Sequence, residues 1–95
     1  MPHHIELFSA GCPLCRRVED MLLLGKCAGC KLEIYDLSRD YQTALPKIDN
    51  YRIKAVPTVV IDGRIRIEGL PQFSFICGEE LYSWLDEKYP LSRQP

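Results

Sequence analysis

Cysteine stands at positions 12, 15, 27, 30 and 77, and four of the five form two C-x-x-C pairs, Cys12–Cys15 and Cys27–Cys30. Thiols at this spacing either exchange with disulfides or ligate a soft metal. In a secreted chain of 95 residues they would also read as a disulfide framework. The count is odd, however, and Met1-Pro2-His3-His4 lacks the basic and apolar regions of an export signal. A cytoplasmic location is therefore expected, where thiols stay reduced and do chemistry.

The first pair has the better setting for exchange. Pro13 suits the first position of a helix, which makes Cys12 the residue just before it. A thiol there meets the unpaired N–H groups of the first turn and the positive end of the helix dipole. Both favour thiolate over thiol. Arg16 and Arg17 add positive charge one turn on, and they are read as thiolate-stabilising. Cys15, at i+3, lies on the same side of the helix and within reach of Cys12. Cys12 is then the attacking thiol, and Cys15 resolves the mixed disulfide.

The elements that position this pair follow from periodicity. Ile5 to Phe8 reads as a short strand, and Pro13 to Leu24 as a helix with Leu14, Val18, Met21 and Leu22 on one stripe and Gly25 at its stop. Leu32 to Leu37 reads as a second strand. Between Ser38 and Asn50 a short or broken helix is expected, because Pro46 interrupts it. Thr58 to Ile61 reads as a buried strand, and Asp62-Gly63 turns it back into Arg64 to Glu68. Residues 69–76 form a loop. Gly78 to Tyr89 is the last helix, with Leu81, Trp84 and Leu85 inward. The order β-α-β-α-β-β-α folds into one α/β domain over residues 1–95, with a mixed four-stranded sheet flanked by helices.

This spacing also weighs against a zinc ribbon built from both pairs. About three turns of helix separate them, roughly 18 Å, whereas one zinc holds each of its sulfurs at about 2.3 Å. The rival reading keeps the metal but divides it: each pair supplies two thiolates to a soft ion, for storage or transfer.

Gly11-Cys12-Pro13-Leu14-Cys15 resembles a glutaredoxin active site, with Leu14 where an aromatic is usual. Tyr51-Arg52-Ile53-Lys54-Ala55-Val56-Pro57-Thr58 is similar to the segment that carries the cis-proline of thioredoxins. Ile61-Asp62-Gly63 followed by a strand and Gly69-Leu70-Pro71 resembles the small glutaredoxin-like proteins of prokaryotes. The likeness to the thioredoxin/glutaredoxin superfamily covers nearly the whole chain. It implies a thioredoxin fold and a thiol–disulfide oxidoreductase with no organic cofactor. It also implies a cis Val56–Pro57 bond beside Cys12, where Val56 offers its backbone to a substrate strand. Glu6 falls where thioredoxins carry a buried carboxylate that moves protons for the resolving thiol. The chain departs from both branches. The glycine pair and acidic residue that help glutaredoxins hold glutathione are missing from residues 69–78, and Ala10-Gly11 replaces the thioredoxin tryptophan.

The implied partners are protein or small-molecule disulfides and a reducing partner, either glutathione or a reductase. A net charge of -1 makes no case for nucleic acid or an anionic membrane, and a monomer is expected. Cys27 and Cys30 are read as a secondary redox or structural pair across a tight loop, and no metal is assigned. Cys77 is expected to be buried. His3 and His4 are expected on the surface. Phe73, Phe75 and Ile76 either cover the core or form a docking surface; the latter would suit a partner-regulated binding module on this fold.

Overall fold

In the computed structural model, which describes residues 3–94, alternation along the strands sorts side chains into two layers around one sheet. The elements are β1 (His4–Ser9), α1 (Pro13–Gly25), β2 (Lys31–Asp36), α2 (Tyr41–Tyr51), β3 (Thr58–Ile61), β4 (Ile65–Glu68) and α3 (Glu79–Lys88), followed by a single 3-10 turn, Leu91–Arg93. Met1 and Pro2 lie outside the described residues. The strand order is β2-β1-β3-β4. β1 runs parallel to β2 and antiparallel to β3, and β3 runs antiparallel to β4. The mixed four-stranded sheet and its flanking helices are those of a thioredoxin fold.

Ile5, Leu7, Val59, Ile61 and Ile67 point to the layer shared with Val18 and Leu22 of α1 and Tyr82 and Leu85 of α3. On α1 the buried stripe is Cys15, Val18 and Leu22, and Leu14 is exposed. Val18, Leu22 and Met21 of the expected stripe do face the core, whereas Leu14 gives way to Cys15 at the inward site of the first turn. On α3, Tyr82 and Leu85 are buried, while Trp84 is partly exposed and packs on Phe73 and Tyr89.

The other sheet face carries Glu6, Phe8, Tyr35 and Arg66. Tyr51 of α2 meets the edge of Phe8 there, and Tyr35 stacks on it. α2 runs unbroken through Pro46, contrary to the interruption expected. Pro46 and Gln42, whose carbonyl loses its partner, are both exposed, so water can take the missing bond.

Asp62 and Gly63 both adopt left-handed backbone (φ 54° and 67°), the geometry of a type I′ turn. The free edge of β4 is covered by the chain end. Arg66 N–H donates to the Tyr89 carbonyl and Leu91 N–H to that of Arg64. Buried Arg66 is satisfied by the carbonyls of Tyr51 and Arg52 and by Gln94. No helix among the described residues is long and apolar enough to cross a membrane.

Gly25 sets the path of residues 69–78. The Phe75 carbonyl oxygen lies only 1.7 Å from where a Cβ on Gly25 would sit, and Cys77 N–H donates to the Gly25 carbonyl at 2.8 Å. The segment therefore crosses directly over the end of α1. Phe75 is buried and Phe73 half-buried against Trp84 and Tyr89, so both cover the core. Ile76 is 70% exposed.

Candidate functional site

β1 ends at Ser9, whose hydroxyl accepts the Gly11 N–H at 3.2 Å. Gly11 takes a positive φ of 74°, turning the chain into α1. Cys12 caps that helix in extended backbone, and Pro13 follows at its first position. The Cys12 Sγ accepts the Cys15 N–H at 3.1 Å, so one donor of the open first turn is already aimed at this sulfur. Cys12 is half-buried, whereas Cys15 has no exposed surface. The two are disulfide-bonded, with Cα atoms 5.0 Å apart. Cys12 is thus partly open to solvent and Cys15 is fully enclosed.

Arg16 and Arg17 are both exposed in the first turn of α1, which contains no acidic residue. The Arg16 N–H donates to the Cys12 carbonyl at 3.0 Å. Among the described residues neither guanidinium is bonded to Cys12, so their influence is that of nearby charge.

The Val56–Pro57 peptide bond is cis. Phe8 pairs with Thr58 across β1 and β3, so Pro57 lies at the end of these two central strands from which the Cys12 loop departs. The Pro57 carbonyl accepts the Gly69 N–H at 2.8 Å, and the Thr58 hydroxyl donates to the Ala55 carbonyl at 2.7 Å. These bonds fix the segment on either side of the proline. A cleft of about 280 Å³ adjoins it, lined by Leu37, Tyr41, Ile48, Ile53, Ala55 and Val56 together with Lys54.

Glu6 is buried at 1% exposure, but on the α2 side of the sheet. Its carboxylate accepts from Tyr35 at 3.2 Å and Tyr51 at 3.0 Å, and pairs with Lys47 at 2.9 Å. Its strand neighbours Ile5 and Leu7 face α1 instead. The proton-transfer role that the resemblance implies for Glu6 would have to reach across the sheet, because α1, which carries Cys15, packs on the face of Ile5 and Leu7. Burial and the Glu33 hydrogen bond push Tyr35 up to about 12, and burial and Glu6 raise Tyr51. Lys47 is raised by its bond to Glu6. Nothing in the spacing of Glu6, Tyr35, Lys47 and Tyr51 announces this network, since its members come from three elements.

The second cysteine pair is corrected. Cys27 is bonded to Cys77, not to Cys30. The cause is the close crossing at Gly25, which brings residue 77 to the loop after α1. Cys77 is half-buried and Cys27 exposed, while Cys30 is a buried thiol. Cys30 Sγ lies 3.7 Å from Cys77 Sγ, and the Tyr82 hydroxyl lies 3.8 Å from each. Burial and the Cys30 contact raise Tyr82 well above the usual tyrosine range.

His3 is half-buried rather than on the surface, stacked on Tyr82 with ring centroids 3.7 Å apart and held by Asp62. His4, also partly covered, bonds Glu33 at 2.7 Å.

Comparison with known proteins agrees with the fold. An uncharacterized 9.0 kDa protein in the mobE 3' region of Acidithiobacillus ferrooxidans is 31% identical over 61 residues, covering 64% of this chain and 69% of that one. Its description carries no activity. Residues 3–78, which include all five cysteines and Pro57, match the model of the thioredoxin domain. The chain belongs to the thioredoxin-domain family.

Proposed function

We propose that the protein is a thiol–disulfide oxidoreductase working through Cys12 and Cys15. The observation that carries this reading is the asymmetry of the pair: Cys12, accessible at the helix cap with a backbone N–H on its sulfur, stands in front of fully buried Cys15. The Cys12 thiolate attacks one sulfur of a substrate disulfide, and the other substrate sulfur leaves as a thiolate. The Cys15 thiol loses its proton to the leaving thiolate or to water and attacks Cys12. The second substrate sulfur is then released and the Cys12–Cys15 disulfide forms. Two electrons pass to the substrate, and an external thiol reductant (glutathione or a reductase) restores the dithiol. Cys12 is stabilised by the helix N-terminus, with Arg16 and Arg17 as supporting charge.

The segment at Val56–Pro57, just before β3, is proposed to receive the substrate chain by strand-like hydrogen bonds. The adjoining apolar cleft lined by Ile48, Ile53 and Val56 would take one of its side chains. Disulfide reduction in insulin, with dithiothreitol as the electron source, tests the proposal. The native chain should accelerate it, Cys12→Ser should abolish the acceleration, and Cys15→Ser should accumulate a mixed disulfide at Cys12. An unchanged rate in Cys12→Ser would overturn the reading.

A further inference from the structure

Cys27, Cys30 and Cys77 lie outside the proposed exchange reaction, yet their sulfurs converge. All three lie within 4.8 Å of one another, drawn from the loop after α1 and the residue before Gly78 at the start of α3. A lone buried cysteine would be ordinary core. Three meeting at one point, with the outermost open to solvent, form a ligand set.

We propose that, once the Cys27–Cys77 bond is reduced, these three thiolates bind a soft monovalent cation, Cu(I). A dithiol reductant opens the bond: two electrons and two protons convert it to two thiols, and the reductant becomes a disulfide. The ion then displaces the thiol protons, which pass to solvent. Thiolates held at about 2.3 Å from one ion lie about 4 Å apart, and Cys30 and Cys77 already stand 3.7 Å apart. Among first-row metals thiolate sulfur favours Cu(I), zinc and iron–sulfur clusters, and zinc in a structural site takes four ligands. Three sulfurs satisfy a trigonal Cu(I) ion with no fourth ligand, and among the described residues no histidine, carboxylate or further cysteine joins this cluster. Buried Cys30 and half-buried Cys77 form the floor, the Tyr82 hydroxyl lies against both, and exposed Cys27 is the point of entry.

The same arrangement disfavours the simpler use of Cys30, attack on the neighbouring disulfide. A displacing thiolate approaches along the line of the breaking bond. Attack on Cys77 from 3.7 Å would place Cys30 about 5.7 Å from the leaving sulfur of Cys27. The sulfurs lie within 4.8 Å, a triangle and not a line.

The site is independent of Cys12 and Cys15, so the test removes them. The Cys12→Ser/Cys15→Ser chain, reduced under anaerobic conditions, is titrated with Cu(I) against a competing chelator. Binding is followed by sulfur-to-copper absorption in the near ultraviolet. One equivalent should bind, and the same chain with Cys27–Cys77 oxidised should bind none. Adding Cys27→Ser, an exposed change that spares the core, should weaken binding at least ten-fold; Cys30→Ser should do the same where circular dichroism shows it folded. Absence of binding by the reduced chain overturns the proposal, and so does undiminished binding after Cys27→Ser. Neither result bears on disulfide reduction at Cys12.

Discussion

Replacing Gly25 by alanine sets two effects against each other, and the geometry decides between them. Gly25 is the last residue of α1. Helix propensity alone favours alanine there by up to about 1 kcal/mol. Against this, the new Cβ would lie 1.7 Å from the Phe75 carbonyl oxygen and 2.8 Å from its carbon. Both atoms are backbone, so no side-chain rotation relieves the clash and residues 75–77 must move. Overpacking of this kind costs about 1–3 kcal/mol. The same movement breaks the Cys77 N–H bond to the Gly25 carbonyl, worth about 0.5–1.5 kcal/mol. The net loss should be about 2–3 kcal/mol, lowering Tm by roughly 10–20 °C in a domain of this size. Thermal unfolding of the oxidised chain followed by circular dichroism measures it. Gly78→Ala is the control: a Cβ there meets nothing within 4 Å, so its cost is confined to the cap preference, below about 1 kcal/mol. A Gly25→Ala chain as stable as the native one would refute the close crossing, and with it the explanation of why Cys27 meets Cys77.

Two further outcomes are expected. Tyr35, Tyr51 and Tyr82 hold their protons above the ordinary value of 10, Tyr35 to about 12. A raised value means that the unfolded chain loses these protons first, so the stabilisation is complete below pH 10 and declines as pH rises towards 12. At pH 11 the ultraviolet tyrosinate signal should be markedly smaller for the folded chain than for the chain in urea; equal signals would contradict the assignment. Glu6→Gln should lower the rate of insulin reduction less than three-fold when measured on folded protein, since Glu6 and Cys15 occupy opposite faces of the sheet. A loss of a hundred-fold would restore the proton-transfer role.

What could be read before folding was local. The strand at Ile5–Phe8, the helix opened by Pro13 and closed near Gly25, and the Asp62-Gly63 turn each follow from neighbouring residues, and each lies within a residue or two of its expected bounds. Cys12 at the helix cap was legible for the same reason. The partner of Cys27 was not. It depends on where residues 69–78 cross α1, and that path is set by a contact between Gly25 and Phe75, 50 positions apart. Glu6 illustrates a subtler gap. Alternation shows that it opposes Ile5 and Leu7, but not which helix will cover which face. Pro46 interrupts nothing because the carbonyl that loses its partner, that of Gln42, lies on an exposed helix face where water can take the bond.

The Cys27–Cys77 bond also changes the connectivity of the molecule. With it closed, residues 27 to 77 form a covalent ring that contains β2, α2, β3 and β4. The strand outside the ring is β1, which lies at the centre of the sheet between two strands of the ring and leads directly into the Cys12 loop. A protease cut in the exposed turn at residues 38–40 would then leave the two pieces joined, with the loop that carries Cys12 still anchored to both flanks. Reduction opens the ring, so after the same cut everything C-terminal to it, including the Val56–Pro57 segment, would be held to β1 only by strand pairing and packing.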